Sequence, residues 1–224
     1  MPPPRSILVG VTCDIIEGRS VCPATYTRAI TRAGGVPLLL PCIADHAPAY
    51  ADACDAFVLT GGEDPDMAPF GEPTHAEAIL VDPDRQAFET ALLRELENNH
   101  QDKPALCVCL GMQWMALLAG GTLDQHLPDD CSTHADHAGD KIHAIRPVVQ
   151  GSWLPTGAVT SKHHQSVSDS GSLRVVACAH DGIIEAIDDP NRKFYRGVQW
   201  HPERTHHDPL GASLYRDLID AARG

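Results

Sequence analysis

A three-layer α/β sandwich, built on a mainly parallel sheet with an antiparallel extension, is the fold class this sequence predicts. Short aliphatic runs alternate with stretches of helical spacing four times before residue 121. Each run is apolar at successive positions, as strands covered by helices on both faces must be. Beyond about residue 143 the helical spacing lapses and strand-like runs follow one another through short turns, which marks an antiparallel part of the same sheet.

Residues 6–12 (SILVGVT) form an aliphatic run short enough for a buried strand. Tyr26, Ala29, Ile30 and Ala33 then recur at helical spacing, and Gly34-Gly35 stops that helix. Residues 36–40 (VPLLL) make the second strand, and the Ala/Asp-rich stretch 44–54 a short helix. The third strand, 56–59 (AFVL), ends abruptly in Thr60-Gly61-Gly62 and gives way to a Pro/Gly-rich loop. Over 82–98 an opening Asp-Pro precedes an apolar stripe at Phe88, Leu92 and Leu96, the pattern of an amphipathic helix. Residues 105–108 (ALCV) read as the fourth strand and 112–119 as its helix, closed by Gly120-Gly121. Later strands fall at 143–149, 173–177, 183–187 and 194–200, and helical spacing returns over 208–222 through Leu210, Leu214 and Leu218. No repeat, low-complexity tract or linker interrupts this series, so residues 1–224 read as a single domain.

With 43% hydrophobic and 21% charged residues the chain has a globular composition. Acidic residues outnumber basic ones by 30 to 17, and the resulting charge of −13 repels phosphate backbones and anionic bilayers. Neither nucleic acid nor membrane is therefore expected as a partner. The apolar stretches 36–41 and 115–119 are far short of a bilayer span, and MPPPRSILVG lacks the long apolar segment of a secretory leader. Eight scattered cysteines without a Cys-X-X-Cys pair fit reduced thiols, hence a cytoplasmic location.

In open α/β sheets, sites form at the carboxyl ends of strands. Cys109 stands at such a place: the strand 105–108 ends at it and Leu110-Gly111 opens a helix, the layout of a nucleophile elbow. A helix N-terminus offers unpaired N–H groups and partial positive charge, which favour a thiolate, and the N–H of Leu110 can face a developing oxyanion. The competing reading of Cys109 is a small buried hydrophobe, and for the other seven cysteines that reading is preferred. His201 and Glu203 follow a strand, and in extended chain residues two apart share a side. His201 can thus reach Cys109 as base while Glu203 holds the imidazole tautomer from behind. Gly61-Gly62, at another strand end, leaves backbone N–H groups open and can complete an oxyanion hole, although a plain turn explains it too.

Of 13 histidines, His134, His137, His143, His206 and His207 gather in two polar stretches that read as surface loops. No spacing resembles a zincin or a closed zinc site, so no metal is expected. Cys107 invites a role in resolving an oxidised Cys109, but a disulfide across one residue is strained. The His-Pro-Glu element favours hydrolysis over a redox or chaperone-like role, and an α/β-hydrolase would place its acid before its histidine.

Thr60-Gly61-Gly62, Cys109-Leu110-Gly111-Met112-Gln113 and His201-Pro202-Glu203 together resemble the motifs of class I glutamine amidotransferases. The similarity is closer to the peptidase C26 branch, the γ-glutamyl-γ-aminobutyrate hydrolase-like proteins. It is carried there by Tyr26 ahead of Ala33-Gly34-Gly35-Val36-Pro37, by Leu59-Thr60-Gly61-Gly62, Asp84-Arg85 and His163-His164-Gln165, and by Asp181-Gly182-Ile183-Ile184-Glu185-Ala186. The resemblance covers nearly the whole chain in motif order and implies a flavodoxin-like, amidotransferase-like fold. It implies Cys109 as nucleophile, His201 as base, Glu203 as its orienter, and Gly62 and Leu110 as oxyanion donors. Gln113, His164 and Gln165 would hold the glutamyl group. One departure stands at Cys107, where the family's elbow carries Gly; it bears on fine geometry more than on chemistry. The activity implied is cofactor-free hydrolysis of a small γ-glutamyl amide, such as a γ-glutamyl amine, through a γ-glutamyl thioester. The alternative is a glutaminase subunit that passes ammonia to a separate synthetase; homo-oligomerisation is left open.

Overall fold

Aliphatic strands buried on both faces need helices above and below, and the sequence supplies both. The computed structural model describes residues 5–224; the opening Met-Pro-Pro-Pro, read above for a leader, lies outside them. In chain order the strands are β1 Ile7–Thr12, β2 Asp14–Ile16, β3 Arg19–Val21, β4 Gly35–Leu40, β5 Ala56–Leu59, β6 Ala105–Val108, β7 Thr122–Asp124, β8 Lys141–Pro147, β9 Gly157–Ser161, β10 Ser166–Asp169, β11 Arg174–Ala179, β12 Ile184–Asp188 and β13 Tyr195–Val198. The helices are α1 Ala24–Arg32, α2 Ala47–Ala53, α3 Pro83–Asn98, α4 Leu110–Leu118, α5 Leu127–Asp130 and α6 Ala212–Arg223.

Nine strands form one sheet in the order β4-β1-β5-β6-β13-β12-β11-β8-β9. The junctions from β4 to β13 are parallel, and those from β13 to β9 are antiparallel. The expected division therefore holds with one correction. The strand near 194–200 belongs to the parallel half: β13 inserts between β6 and β12 and pairs Val198 with Val108. A strand arriving last and buried in mid-sheet shows no local sign of its direction, which is why spacing alone groups it with its antiparallel neighbours.

Helices cover both faces. Phe88 and Leu92 of α3 and Trp114 and Met115 of α4 pack on one side with Phe57 and Leu59 of the sheet. Ile30 of α1 and Leu214 and Leu218 of α6 pack on the other with Val9, Val11, Val58 and Val108. Asp82 caps α3 by accepting from the N–H of Asp84 at 2.9 Å, with Pro83 opening the helix. Among the described residues no helix is long and apolar enough to cross a membrane.

Three features escape the sequence patterns. The hairpin β2–β3 turns at Glu17-Gly18, where both residues have positive φ, 52° and 70°. The pair β7–β10 forms a separate two-stranded sheet, and β9 lies behind a Pro/Gly-rich lead-in that hides it. Crowding at the elbow is relieved by glycines other than the one Cys107 replaces. A Cβ on Gly111 would lie 2.8 Å from the backbone oxygen of Leu59, and one on Gly197 would lie 2.9 Å from Met112 Cγ. Helix α4 thus seats against β5 and β13 through bare backbone, and Cys107 is simply part of the core.

Gly111→Ala should cost about 1–3 kcal/mol, the usual range for overpacking, because the atom it strikes is backbone and cannot rotate away. Thermal unfolding measured by calorimetry tests this; an unchanged Tm would refute the close-approach reading.

Candidate active site

Strand β6 delivers Cys109 to the carboxyl end of the sheet, where it becomes the N-cap of α4 with φ 51° and ψ −105°. That region is costly for a residue with a Cβ, on the order of 1–3 kcal/mol, and survives only where neighbours hold it. Here the Cys109 N–H donates to Val198 O at 2.8 Å, and its carbonyl accepts from Gln113 N–H at 3.1 Å. The strain turns the thiol out of the sheet toward a cavity of about 820 Å³ while leaving it 6% exposed. The N–H groups of Leu110 and Gly62 have no hydrogen-bond partner among the described residues. Gly61 differs: its N–H donates to the Tyr26 hydroxyl at 3.0 Å. A Cβ on Gly61 would meet His201 Cε1 at 2.9 Å and Cys109 Cβ at 3.3 Å, so a glycine here lets the thiol and the imidazole approach.

His201 and Glu203 come together by a route that strand alternation does not predict. β13 ends at Val198, and residues 202–204 form a turn, closed by Arg204 N–H donating to His201 O at 3.1 Å. The turn, rather than extended alternation, carries the Glu203 carboxylate back to His201 Nδ1 at 2.9 Å. The carboxylate is 1% exposed, with Arg204 Nε 3.3 Å away. Burial pulls the imidazole's proton affinity down, but contact with Cys109 and with Glu203 outweighs it and lifts His201 to about 9. The folded protein therefore holds the imidazolium where the unfolded chain, at 6.5, does not. Its contribution to stability is complete below about pH 6.5 and is lost as pH rises through about 9.

Gln199 opens the stretch Gln199-Trp200-His201-Pro202-Glu203, in which the sequence reading gives it no role of its own. Fully buried, it donates from Nε2 to Cys109 Sγ at 3.5 Å and accepts at Oε1 from Gln113 Nε2 at 3.5 Å. Its place two residues before His201 is the signal that could have found it. Gln113 Nε2 also lies 3.4 Å from Gln165 O, so these two expected substrate contacts meet at the cavity wall. His164 Nε2 pairs with both Asp64 oxygens at 2.9 Å, which raises its proton affinity. Of the Pro/Gly-rich loop after Gly62, only Glu63 and Asp64 line the cavity; Asp14, Ile16 and Val21 of the hairpin border it instead.

Arg85, from the Asp84-Arg85 motif, is fully buried beneath Thr60-Gly61. Its Nη2 donates to Thr60 O at 3.0 Å and Gly61 O at 3.1 Å, and the guanidinium pairs with Asp14 and Glu89. Burial opposes its charge, but Glu89 and Asp14 hold it protonated. Gly62 has no room for a Cβ against this guanidinium.

The expectation of surface histidine loops is corrected. His206 and His207 are exposed, but His137 and His143 are buried. Residues 134–136 form a single 3-10 turn that folds His137 inward, and β8 points His143 the same way. A polar stretch conceals this because its buried partners, His163 and Glu185, come from distant segments.

A thiol next to an imidazole that a carboxylate orients, with two free N–H groups at hand, is equipped for acyl transfer to sulfur. A neutral alkylating reagent at pH 7–8 should modify Cys109 well before Cys107, which is wholly buried with its thiol pushed up by burial. Peptide mapping that finds Cys107 labelled first would reverse the assignment. Arg85→Leu should destabilise by about 3–5 kcal/mol in denaturant titration, because it strips a buried carboxylate, Glu89, of its counter-charge.

The profile of the family described as peptidase C26 matches residues 8–203. A Mycobacterium tuberculosis protein, provisionally named glutamine amidotransferase Rv2859c, is 37% identical over 213 residues, covering 90% of this chain and 68% of its own. The γ-glutamyl-γ-aminobutyrate hydrolase PuuD of Escherichia coli K12 is 28% identical over 226 residues, covering 88% and 85%. A solved structure of a glutamine amidotransferase from Thermotoga maritima superposes with a TM-score of 0.60 over 89% of this chain and 77% of its own. At 13% identity that likeness concerns the fold alone.

Proposed function

This chain belongs to the peptidase C26 family, and on that premise we propose that it hydrolyses a γ-glutamyl amide through a thioester on Cys109. Cys109 Sγ attacks the γ-carbonyl as the proton of its thiol resides on His201. The oxyanion that forms faces the N–H groups of Gly62 and Leu110. The intermediate collapses as His201 passes its proton to the leaving amine, breaking the C–N bond and leaving the γ-glutamyl thioester. His201, now neutral and oriented by Glu203, takes a proton from water; attack on the thioester releases glutamate and restores the thiol. Gln113, Gln165 and His164, which line the cavity, would hold the amino-acid end of the substrate.

The observation that carries this reading is the cavity itself. At about 820 Å³ around Cys109 it lies toward the upper end of the roughly 300–1,000 Å³ typical of small-molecule sites, which leaves room for a leaving amine beyond the glutamyl group. Likeness to a hydrolase of γ-glutamyl-γ-aminobutyrate supports the same class of substrate. The second reading, glutamine hydrolysis that delivers ammonia to a separate synthetase, has the name of the M. tuberculosis relative in its favour.

Purified protein should release free amine from at least one member of a γ-glutamyl amine panel faster than it releases ammonia from glutamine. Cleavage of glutamine alone, and only when a second protein is added, would award the site to the glutaminase reading. Glu203→Gln should lower kcat about 10²-fold, within the span of general acid–base effects, and move the alkaline limb of activity, near pH 9 in the wild type, to lower pH. An alkaline limb that stays in place would separate Glu203 from the imidazole's protonation.

A further inference from the structure

At the cavity wall and behind it, three histidines converge on one glutamate. His137 Nδ1, His143 Nε2 and His163 Nε2 lie 3.3, 3.0 and 3.7 Å from the same oxygen, Glu185 Oε1. The side chains of His137 and Glu185 are wholly buried, those of His143 and His163 4% and 2% exposed. The first two separations are short but misdirected for hydrogen bonds and the third is too long for one: none of the three inward nitrogens, and neither Glu185 oxygen, has a hydrogen-bond partner among the described residues.

The outward nitrogens are all engaged. His137 Nε2 meets Asp181 Oδ2 at 2.9 Å, His143 Nδ1 meets Asp136 O at 3.3 Å, and His163 Nδ1 meets Gln165 O at 2.8 Å. Each of those partners is an acceptor, so each holds the ring proton on the outward side. A neutral imidazole with its proton there turns a bare lone pair inward. In that state three lone pairs and a buried carboxylate face one another, an arrangement that repels unless inward protons or a cation lie between them.

The spacing suits a metal ion. Zinc bonds of about 2.0–2.1 Å in a tetrahedron set neighbouring ligand atoms about 3.3–3.4 Å apart. The distances to Glu185 Oε1 bracket that value, and the ligand atoms of His137, His163 and Glu185 all lie within 4.8 Å of one another; His143 Nε2, 3.0 Å from the same oxygen, stands just outside that group. Asp181 behind His137, itself accepting from Thr133 Oγ1 at 2.6 Å, is the carboxylate–histidine support that metal-bound imidazoles use.

We propose that His137, His163 and Glu185, with His143 closing in as the fourth ligand, bind a divalent transition metal, zinc being the ion that three imidazoles and one carboxylate fit best. Once His143 completes the set, all four positions are filled by protein and the site is structural. It ties β8, β12 and the segment after β9 to the loop that carries His137, and His163 is the one member that also lines the Cys109 cavity.

Untagged full-length protein, stripped with a chelator and desalted, should take up about one zinc per chain by elemental mass spectrometry, with a rise in Tm that saturates at one equivalent. Cobalt in its place should show the intense visible absorption of tetrahedral coordination. Glu185→Gln should abolish uptake, and His143→Gln should weaken it if the first variant folds poorly. His75→Ala, which breaks the His75–His126–Asp129 group on the surface, should leave it intact. Failure of the wild type to bind, no effect of either cage variant, or loss of binding in His75→Ala would overturn the site and leave the cage charged by protons alone.

Discussion

The site depends on one parallel strand pairing. β13 lies beside β6 with Val198 opposite Val108, and the next backbone contact is Cys109 N–H to Val198 O at 2.8 Å. That bond fixes two things together. It clamps the strained φ of Cys109 from the strand side while α4 clamps it from the helix side, and it sets where the chain beyond β13 must emerge. Gln199 and His201 can then reach the thiol without any long loop to order. Were β13 antiparallel to β6, the 199–203 segment would leave at the opposite end of the sheet. The same strand also joins the parallel and antiparallel halves, so the element that assembles the site is the element that unites the sheet.

What the sequence made legible follows from which forces act locally. Buried parallel strands such as β1, β5 and β6 announce themselves as aliphatic runs, and α3 through its Asp82-Pro83 cap and apolar stripe. Cys109 is readable because a strand-to-helix turn and a thiol coincide there. Partners brought by sheet topology are harder to see. The β13 direction, the Gln199 contact and the turn placing Glu203 on His201 depend on what lies beside them in space. Arg85 illustrates the limit well: an exposed helix position is the ordinary expectation for arginine, and only the paired burial of Glu89 and the carbonyls of Thr60 and Gly61 make a buried one tolerable.

Glycine marks where backbone, rather than side chain, does the packing. Gly111 lets α4 approach β5, Gly61 lets His201 approach Cys109, and Gly62 makes room for Arg85. Gly61 and Gly62 follow one another in the turn after β5 and Gly111 lies in α4, yet all three serve one end of the sheet, each omitting a Cβ where neighbouring groups approach closely. Cys107, where the resemblance leads one to expect glycine, is accommodated for that reason. The close approach falls on Gly111 and Gly197, and a small side chain at 107 merges with the core beneath.

The antiparallel half is tied to the site through backbone. Glu185 O accepts from Gln199 N–H at 2.8 Å, and Gln165 O accepts from His163 Nδ1 at 2.8 Å while lying 3.4 Å from Gln113 Nε2. The histidine–glutamate cage thus sits one hydrogen bond from two residues that shape the cavity, on strands with no helix of their own to anchor them. Cages of this kind are costly unless fully neutralised, because low dielectric magnifies both attraction and repulsion among buried charges. A protein that keeps one at its cavity wall gains a rigid backing for Gln113, Gln165 and Gln199, and rigidity is what a thiol held at positive φ needs from its surroundings.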